Sequence, residues 1–304
     1  MVHAFGGAIR AKRIQRRVNN NRLTAYVNGS FLPLDEANIH IEDRGFQFAD
    51  GVYEVIACLS GKFLDIKPHL KRLEHSCQAI QIKLPYPADT LESLIQQLYQ
   101  KNPFKDAMIY MQITRGVAPR SHNITGPIQP SLVMTVRELP APSKEKLADG
   151  ASAITIRDFR WGRCDIKSIA LLASVMGKQE AARHGVDESF WLDDDDHLLE
   201  GCATNVFAII DGTLVTHPLD HQILGGIMRD MVLRTARSEN IPVQERPWRL
   251  DEEHLSECMM SSTTNALLPV CHIDQKAIGH GKPGPVAKHL RTLMLKKLEA
   301  FRNS

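Results

Sequence analysis

Lys167 and Glu200 of this 304-residue chain are of types that could do chemistry together, although spacing alone does not set Lys167 apart from the other lysines. Lys167 lies in Arg163-Cys164-Asp165-Ile166-Lys167-Ser168, and Glu200 in the later stretch Leu199-Glu200-Gly201-Cys202-Ala203-Thr204-Asn205-Val206-Phe207. A lysine amine can form a Schiff base with a carbonyl, and a carboxylate can keep a nearby ring nitrogen protonated. Pyridoxal-phosphate chemistry needs that pair. On residue type alone the plain reading stays open: a solvated lysine and a Glu-Gly turn.

Other stretches could hold the charged ends of small molecules. Leu224-Gly225-Gly226-Ile227-Met228 stands just before a helical pattern. Glycines there let the backbone approach an anion at the helix's positive end. Ser261-Ser262-Thr263-Thr264-Asn265 offers hydroxyls and amides after the apolar strand Cys258–Met260. Taken alone these are a helix cap and a turn. Arg120, with His122 two residues on, suits a carboxylate, because the guanidinium fork engages both oxygens. Without further support the pair is a polar loop, and Arg72 is a solvent-facing helix charge.

The order of the segments adds that support. Asp43-Arg44-Gly45-Phe46-Gln47-Phe48-Ala49-Asp50-Gly51-Val52-Tyr53-Glu54 comes first, and Thr114-Arg115-Gly116-Val117-Ala118-Pro119-Arg120-Ser121-His122 second. The lysine and glutamate segments follow. The whole, from about Ala25 to the C-terminus, resembles the fold-type IV pyridoxal-phosphate enzymes, and among them the D-amino-acid aminotransferases. That resemblance implies transamination between a D-amino acid such as D-alanine and a 2-oxo acid such as 2-oxoglutarate. The enzyme would alternate between a Lys167 Schiff base and pyridoxamine phosphate. It implies Lys167 as the catalytic and cofactor-bearing residue and Glu200 as the partner of the ring nitrogen. Arg72, Ile227, Met228, Thr263 and Thr264 would hold the cofactor phosphate. Tyr53, Arg120 and His122 would bind the substrate carboxylate, the last two donated by the other subunit of a homodimer with shared sites.

Departures from the usual pattern are Phe46 for tyrosine, Met228 for threonine, and Cys202-Ala203-Thr204 for a serine-rich run. The first removes a structural hydroxyl and the others bear on hydrogen bonds around the cofactor, so altered cofactor affinity or substrate range is expected more than lost activity. Alternative readings are a branched-chain L-amino-acid aminotransferase, a lyase resembling aminodeoxychorismate lyase, and a cofactor-binding protein without activity. The Arg-x-His loop favours the first reading over these.

Composition bounds the rest. A net charge of +2 gives no argument for nucleic acid or a membrane surface. No apolar run approaches the ~18 residues of a membrane span. The 6 cysteines show no metal spacing and read as reduced thiols of a cytoplasmic protein. The 13 histidines form no H-x-x-H or HExxH arrangement, so no metal site is expected. Asp193 to Asp196 reads as a solvated hairpin loop. From Met1 to Leu23 there is no acidic residue, while Arg10, Lys12, Arg13, Arg16, Arg17 and Arg22 crowd together. Residues 1–23 are therefore expected to be a disordered basic extension.

These residues need positioning elements, and the pattern supplies them. Tyr26–Phe31 reads as a hairpin through Asn28-Gly29, and Val52–Leu59 with Phe63–Ile66 as another around Ser60-Gly61. Leu70, Leu73, Cys77 and Ile80 give Pro68–Gln81 a helical face, and a second helix is expected over Thr90–Lys101. Strands are expected over Ala107–Arg115 and Ser131–Arg137. Pro140 and Pro142 mark a linker, residues 141–150, inside the aperiodic stretch Glu138–Gly150. Beyond it come a strand at Ser152–Asp158 and a helix at Ser168–His184 stopped by Gly185. Short strands follow over Glu188–Thr216, with a hairpin signal at Asp211-Gly212, then helices near Met228–Asn240 and Pro285–Phe301. The expected class is α+β: a small α/β domain over 24–140 and a larger barrel-like, cofactor-binding domain over 151–304.

Overall fold

A computed structural model of the protein describes residues 23–141 and 143–304, so most of the basic extension lies outside the described residues. The first part holds β1 (Thr24–Val27), β2 (Ser30–Pro33), α1 (Arg44–Phe48), β3 (Gly51–Leu59), β4 (Lys62–Phe63), α2 (Ile66–Ala79), α3 (Ala88–Gln100), β5 (Asp106–Thr114) and β6 (Ser131–Glu138). Its antiparallel sheet runs β2-β1-β6-β5-β3-β4. Alternate residues of β5, Ala107, Ile109, Met111 and Ile113, are buried with Leu70, Leu73 and Cys77 of α2 and Leu91, Ile95 and Leu98 of α3. The period-2 face of a strand thus meets the 3.6-residue face of two helices.

The chain continues through α4 (Lys144–Asp149), β7 (Ala151–Arg157), α5 (Leu172–Arg183), β8 (Glu188–Leu192), β9 (Leu198–Gly201), β10 (Asn205–Ile210), β11 (Thr213–Thr216), α6 (Ile227–Ser238), β12 (Val243–Glu245), β13 (Leu255–Ser262), β14 (Ala266–Ile273), β15 (Lys276–Ala277) and α7 (Pro285–Asn303). The path β10-β13-β14-β7-β8-β9 returns to β10 through the pair Asn205 with Glu200. The expected barrel is therefore real, and Glu200 stands on the rung that shuts it. β7 pairs in parallel with both β8 and β14, while β11 and β12 extend the sheet outward from β10. No described helix is long and apolar enough to cross a membrane.

Several boundaries differ from the sequence reading, each for a local reason. Only Lys62–Phe63 of the second hairpin arm is strand, because Asp65 takes φ 47° and turns the chain into α2. α3 starts and ends slightly earlier than Thr90–Lys101. The stretch 141–150, expected as plain linker, carries α4, opened by Ser143 Oγ accepting from the Lys146 amide. The helix expected from Ser168 starts only at Leu172. Its first residues are claimed by β3: the Tyr53 amide donates to Lys167 O at 3.0 Å, and the Ile169 amide to Gly51 O at 3.1 Å. Residues 167–169 consequently run extended across the end of the first sheet.

Candidate active site

That extended segment carries Lys167. Its amide donates to Ser76 Oγ at 3.2 Å, so α2 fixes it from the other side. Lys167 Nζ lies 4.2 Å from the centre of the Tyr53 ring. Burial, and then the charge of Arg72, lower the amine from the ordinary lysine value to about 8, although Glu54 and Glu200 pull the other way. The neutral amine is the nucleophile. At pH 7 about one molecule in ten carries it, against roughly one in three thousand for an unperturbed lysine. Capture of pyridoxal phosphate by the apoprotein, followed by absorbance, is expected to accelerate about tenfold per pH unit up to about pH 8 and then level off. A rate still rising tenfold per unit well above that pH would mean an ordinary solvated lysine.

Glu200 ends β9 and is buried. Its Oε2 accepts from Asn205 Nδ2 at 3.1 Å and from the Leu224 amide at 3.0 Å, and its Oε1 from Arg160 Nη1 at 2.5 Å. Arg160 is itself held by both oxygens of Asp158 and by Gln222 O, and lies over the Trp191 ring. Burial pushes the Glu200 carboxyl up to about 7, against the pull of Arg160 and the Leu224 amide. Such a group gains its charge readily when a cationic ring nitrogen comes beside it.

The same cavity also gathers groups that could hold an anion. Arg72 Nε and Nη2 fork onto Glu54 at 2.7 and 2.8 Å, and Nη1 donates to Gly225 O at 2.9 Å. Glu54 is fully buried and also bonds His69 Nδ1 at 2.7 Å. Burial would raise its carboxyl, but hydrogen bonds from Arg72 and His69 outweigh it and hold the group at about 2. Glu54 therefore locks Arg72 in place. α6 begins after Gly226 without a side-chain cap, which leaves backbone donors at Ile227 and Met228. A Cβ on Gly226 would come within 2.0 Å of Asn205 Oδ1, so only glycine admits this approach. Thr263 and Thr264 sit on the β13–β14 turn, where Ser262 Oγ lies 3.2 Å from Thr264 Oγ1.

One cavity of about 410 Å³ gathers Lys167, Glu200, Arg72, Tyr53, Ile227, Met228, Thr263 and Thr264. The space suits a cofactor-sized molecule. Ser261 Oγ is buried on its wall with no hydrogen-bond partner among the described residues. An unmatched hydroxyl, uncapped helix amides, a locked arginine and an amine of lowered pKa together fit pyridoxal phosphate. Burial and the Glu54 charge also push the Tyr53 phenol up, which keeps it a donor.

Arg120 and His122 are not brought to this cavity in their own chain. Both are exposed; the Arg120 guanidinium lies 4.5 Å over the Phe48 ring, and the His122 ring lies 5.3 Å from it. Phe46 is exposed and away from the cavity wall, whereas Cys202, Ala203 and Thr204 line it. Thr204 turns its hydroxyl to Glu188, donating at 3.3 Å. Sequence reasoning assigned no role to Glu54, Arg160 or Asn205, and named Ser261 only within a hydroxyl-rich turn. Glu54 and Asn205 stand inside the segments that drew attention, next to Tyr53 and Thr204. Arg160 gave no signal of its own.

Asp193, Asp195 and His197 bring ligand-type atoms within 4.8 Å on the β8–β9 turn. His197 and the amides of Asp195 and His197 already occupy the Asp193 carboxylate, the bonding of a tight polar turn.

Residues 51–273 match the family model described as amino-transferase class IV. The D-alanine aminotransferase of Staphylococcus haemolyticus is 35% identical over 277 residues, covering 90% of this chain and 98% of the relative. That of Listeria innocua serovar 6a is 37% identical over 276 residues, with 90% and 95% covered. Among solved structures, a T.th. branched-chain amino acid aminotransferase with pyridoxamine 5'-phosphate superposes with a TM-score of 0.83 at 26% identity, covering 90% of this chain and 93% of its own. The Escherichia coli branched-chain enzyme, at 24% identity, reaches 0.84 with 90% and 94% covered, a likeness of fold.

Proposed function

Because the chain belongs to the class IV aminotransferases, which work with pyridoxal 5'-phosphate, we propose that it moves the amino group of a D-amino acid such as D-alanine to a 2-oxo acid such as 2-oxoglutarate. The observation that carries the reaction class is the meeting of Lys167 and Glu200 in one cavity whose far end is built for an anion. The D-amino-acid reading rests on the Arg120-x-His122 loop and on relatives named D-alanine aminotransferase. The fold's likeness to branched-chain enzymes keeps a branched-chain L-aminotransferase as the second reading. Purified protein given D- or L-alanine with 2-oxoglutarate should make D-glutamate from the D-isomer. Turnover of L-leucine in preference to D-alanine would overturn that choice.

When bound, the cofactor supplies an electron-withdrawing ring that carries the amino group between substrates. The chain supplies the rest. Lys167 Nζ takes and returns the proton at the substrate's α-carbon, a task suited to an amine whose pKa lies near neutrality. Glu200, braced by Arg160, Asn205 and the Leu224 amide, favours the protonated ring nitrogen. Arg72, the first amides of α6, and Thr263 with Thr264 hold the phosphate, so the ring cannot drift while Lys167 works.

Arg120 and His122 stand outside their own chain's cavity, and the proposed assembly is a homodimer in which they clamp the carboxylate in the partner's site. Arg120→Leu should then raise KM for D-amino acids and 2-oxo acids alike, by about ten- to a hundredfold, since a charge-assisted bond is lost in both half reactions. Cofactor binding should persist. Mixing inactive Lys167→Ala chains with weakened Arg120→Ala chains should raise activity at low substrate above that of either alone, because the hybrid holds one intact site. A fully active monomer in sedimentation, or unchanged D-alanine kinetics of Arg120→Leu, would return Arg120 to an ordinary loop residue.

A further inference from the structure

Behind the Thr263–Thr264 turn lies a charged group that the site as described does not use. The buried face of α7 consists of Ala287, Leu290, Arg291 and Met294. Arg291 is only 9% exposed, and it is the one charge on that apolar face. Its Nη1 donates to Asn265 O at 3.2 Å and to Leu267 O. Among the described residues it joins no ion pair, and burial alone lowers its pKa. A guanidinium taken out of water without a counter-charge is costly. Leucine or methionine would fill the same space without that cost.

We propose that Arg291 is a positioning residue for the phosphate end of the site, its uncompensated charge matched by an anion held on the opposite side of the turn that it grips at Asn265 O, with Leu267 O on β14 as its second hold. The turn links the two. Asn265 O takes the Arg291 bond, while the Asn265 amide donates to Ser262 Oγ, which also meets Thr264 Oγ1. The grip on the carbonyls directs the turn, and the positive charge behind it adds attraction for a dianion in a poorly screened interior. Without a bound anion the same arginine is an electrostatic burden.

This inference rests on the proposed cofactor site, and the test separates the two. Apoprotein is titrated with pyridoxal phosphate, inorganic phosphate and pyridoxal, by fluorescence and by thermal shift. Arg291→Gln keeps an amide donor for the carbonyls and removes the charge. It should weaken pyridoxal phosphate and inorganic phosphate about tenfold or more while leaving pyridoxal unchanged, and the apoprotein should melt no lower than wild type. Arg291→Lys, which keeps the charge without the fork, should retain phosphate affinity within about threefold. If the glutamine variant fails to fold, the lysine variant decides by the same comparison. Equal losses for pyridoxal and pyridoxal phosphate would make Arg291 a plain structural residue, and unchanged phosphate affinity in Arg291→Gln would overturn the proposal. Failure of the wild-type protein to bind pyridoxal phosphate would instead sink the cofactor site itself.

Discussion

Lys167→Ala is expected to abolish transamination together with the visible absorbance of the Schiff base proposed to form between this lysine and pyridoxal phosphate. Among the described residues Lys167 is the one lysine on the cavity wall, with its Nζ over the Tyr53 ring and its backbone amide held by Ser76. The substitution removes two functions at once. The covalent anchor goes, and so does the proton carrier, which alone is typically worth ~10²–10⁴ in rate. The fold should hold, because the segment is pinned through the Lys167 and Ile169 backbone and not through the ammonium group. Cofactor should still bind weakly through its phosphate. Borohydride reduction followed by peptide mapping gives the check: label fixed to another lysine in the variant would remove Lys167 from the mechanism.

Glu200→Gln should keep the fold and the cofactor but slow the chemical steps by more than tenfold in kcat, about 1.4 kcal/mol or more. A glutamine fits the same space and can accept from the Leu224 amide or Asn205. It cannot supply a negative charge to a protonated ring nitrogen, so the ring loses much of its pull on electrons. It also leaves Arg160 with Asp158 as its only carboxylate partner among the described residues. KM should move less than kcat, since the proposed carboxylate clamp of Arg120 and His122 lies elsewhere. Single-turnover rates equal to wild type would show that another group faces the ring nitrogen.

Much of the framework was legible in the residues. Asn28-Gly29, Ser60-Gly61 and Asp211-Gly212 turn with positive φ at both positions, as the hairpin reading required. The helical spacing of Leu70, Leu73 and Cys77 did mark a core face. The barrel, too, followed from short strands separated by turns. What escaped depends on partners distant in sequence. Ser168 looked like a helix start because its competing claim comes from Gly51 and Val52, more than a hundred residues earlier. Arg160 is revealed only by Glu200 and Gln222 folding back onto it. Arg291 follows the period of an apolar helix face, and periodicity counts a charge there as an error. The Arg120 loop was readable as a motif, but its place on Phe48 was not. Local pattern fixes elements; long-range pairing decides which of their side chains meet.

The cavity draws on residues from Tyr53 near the start of the described chain to Thr264 near its end, with the brace at Arg291 later still. Its two reactive groups are tied at long-range joints: Lys167 to the head of β3, and Glu200 to the rung that shuts the barrel. Contacts so distant in sequence form late, after the loops between them have closed. A chain still emerging from the ribosome therefore carries the lysine long before it carries the place that makes that lysine special. Until Glu54, Arg72 and Glu200 gather around it, Lys167 is an ordinary protonated amine. The lowered pKa of the lysine is therefore a property of the folded chain and not of the segment that carries it.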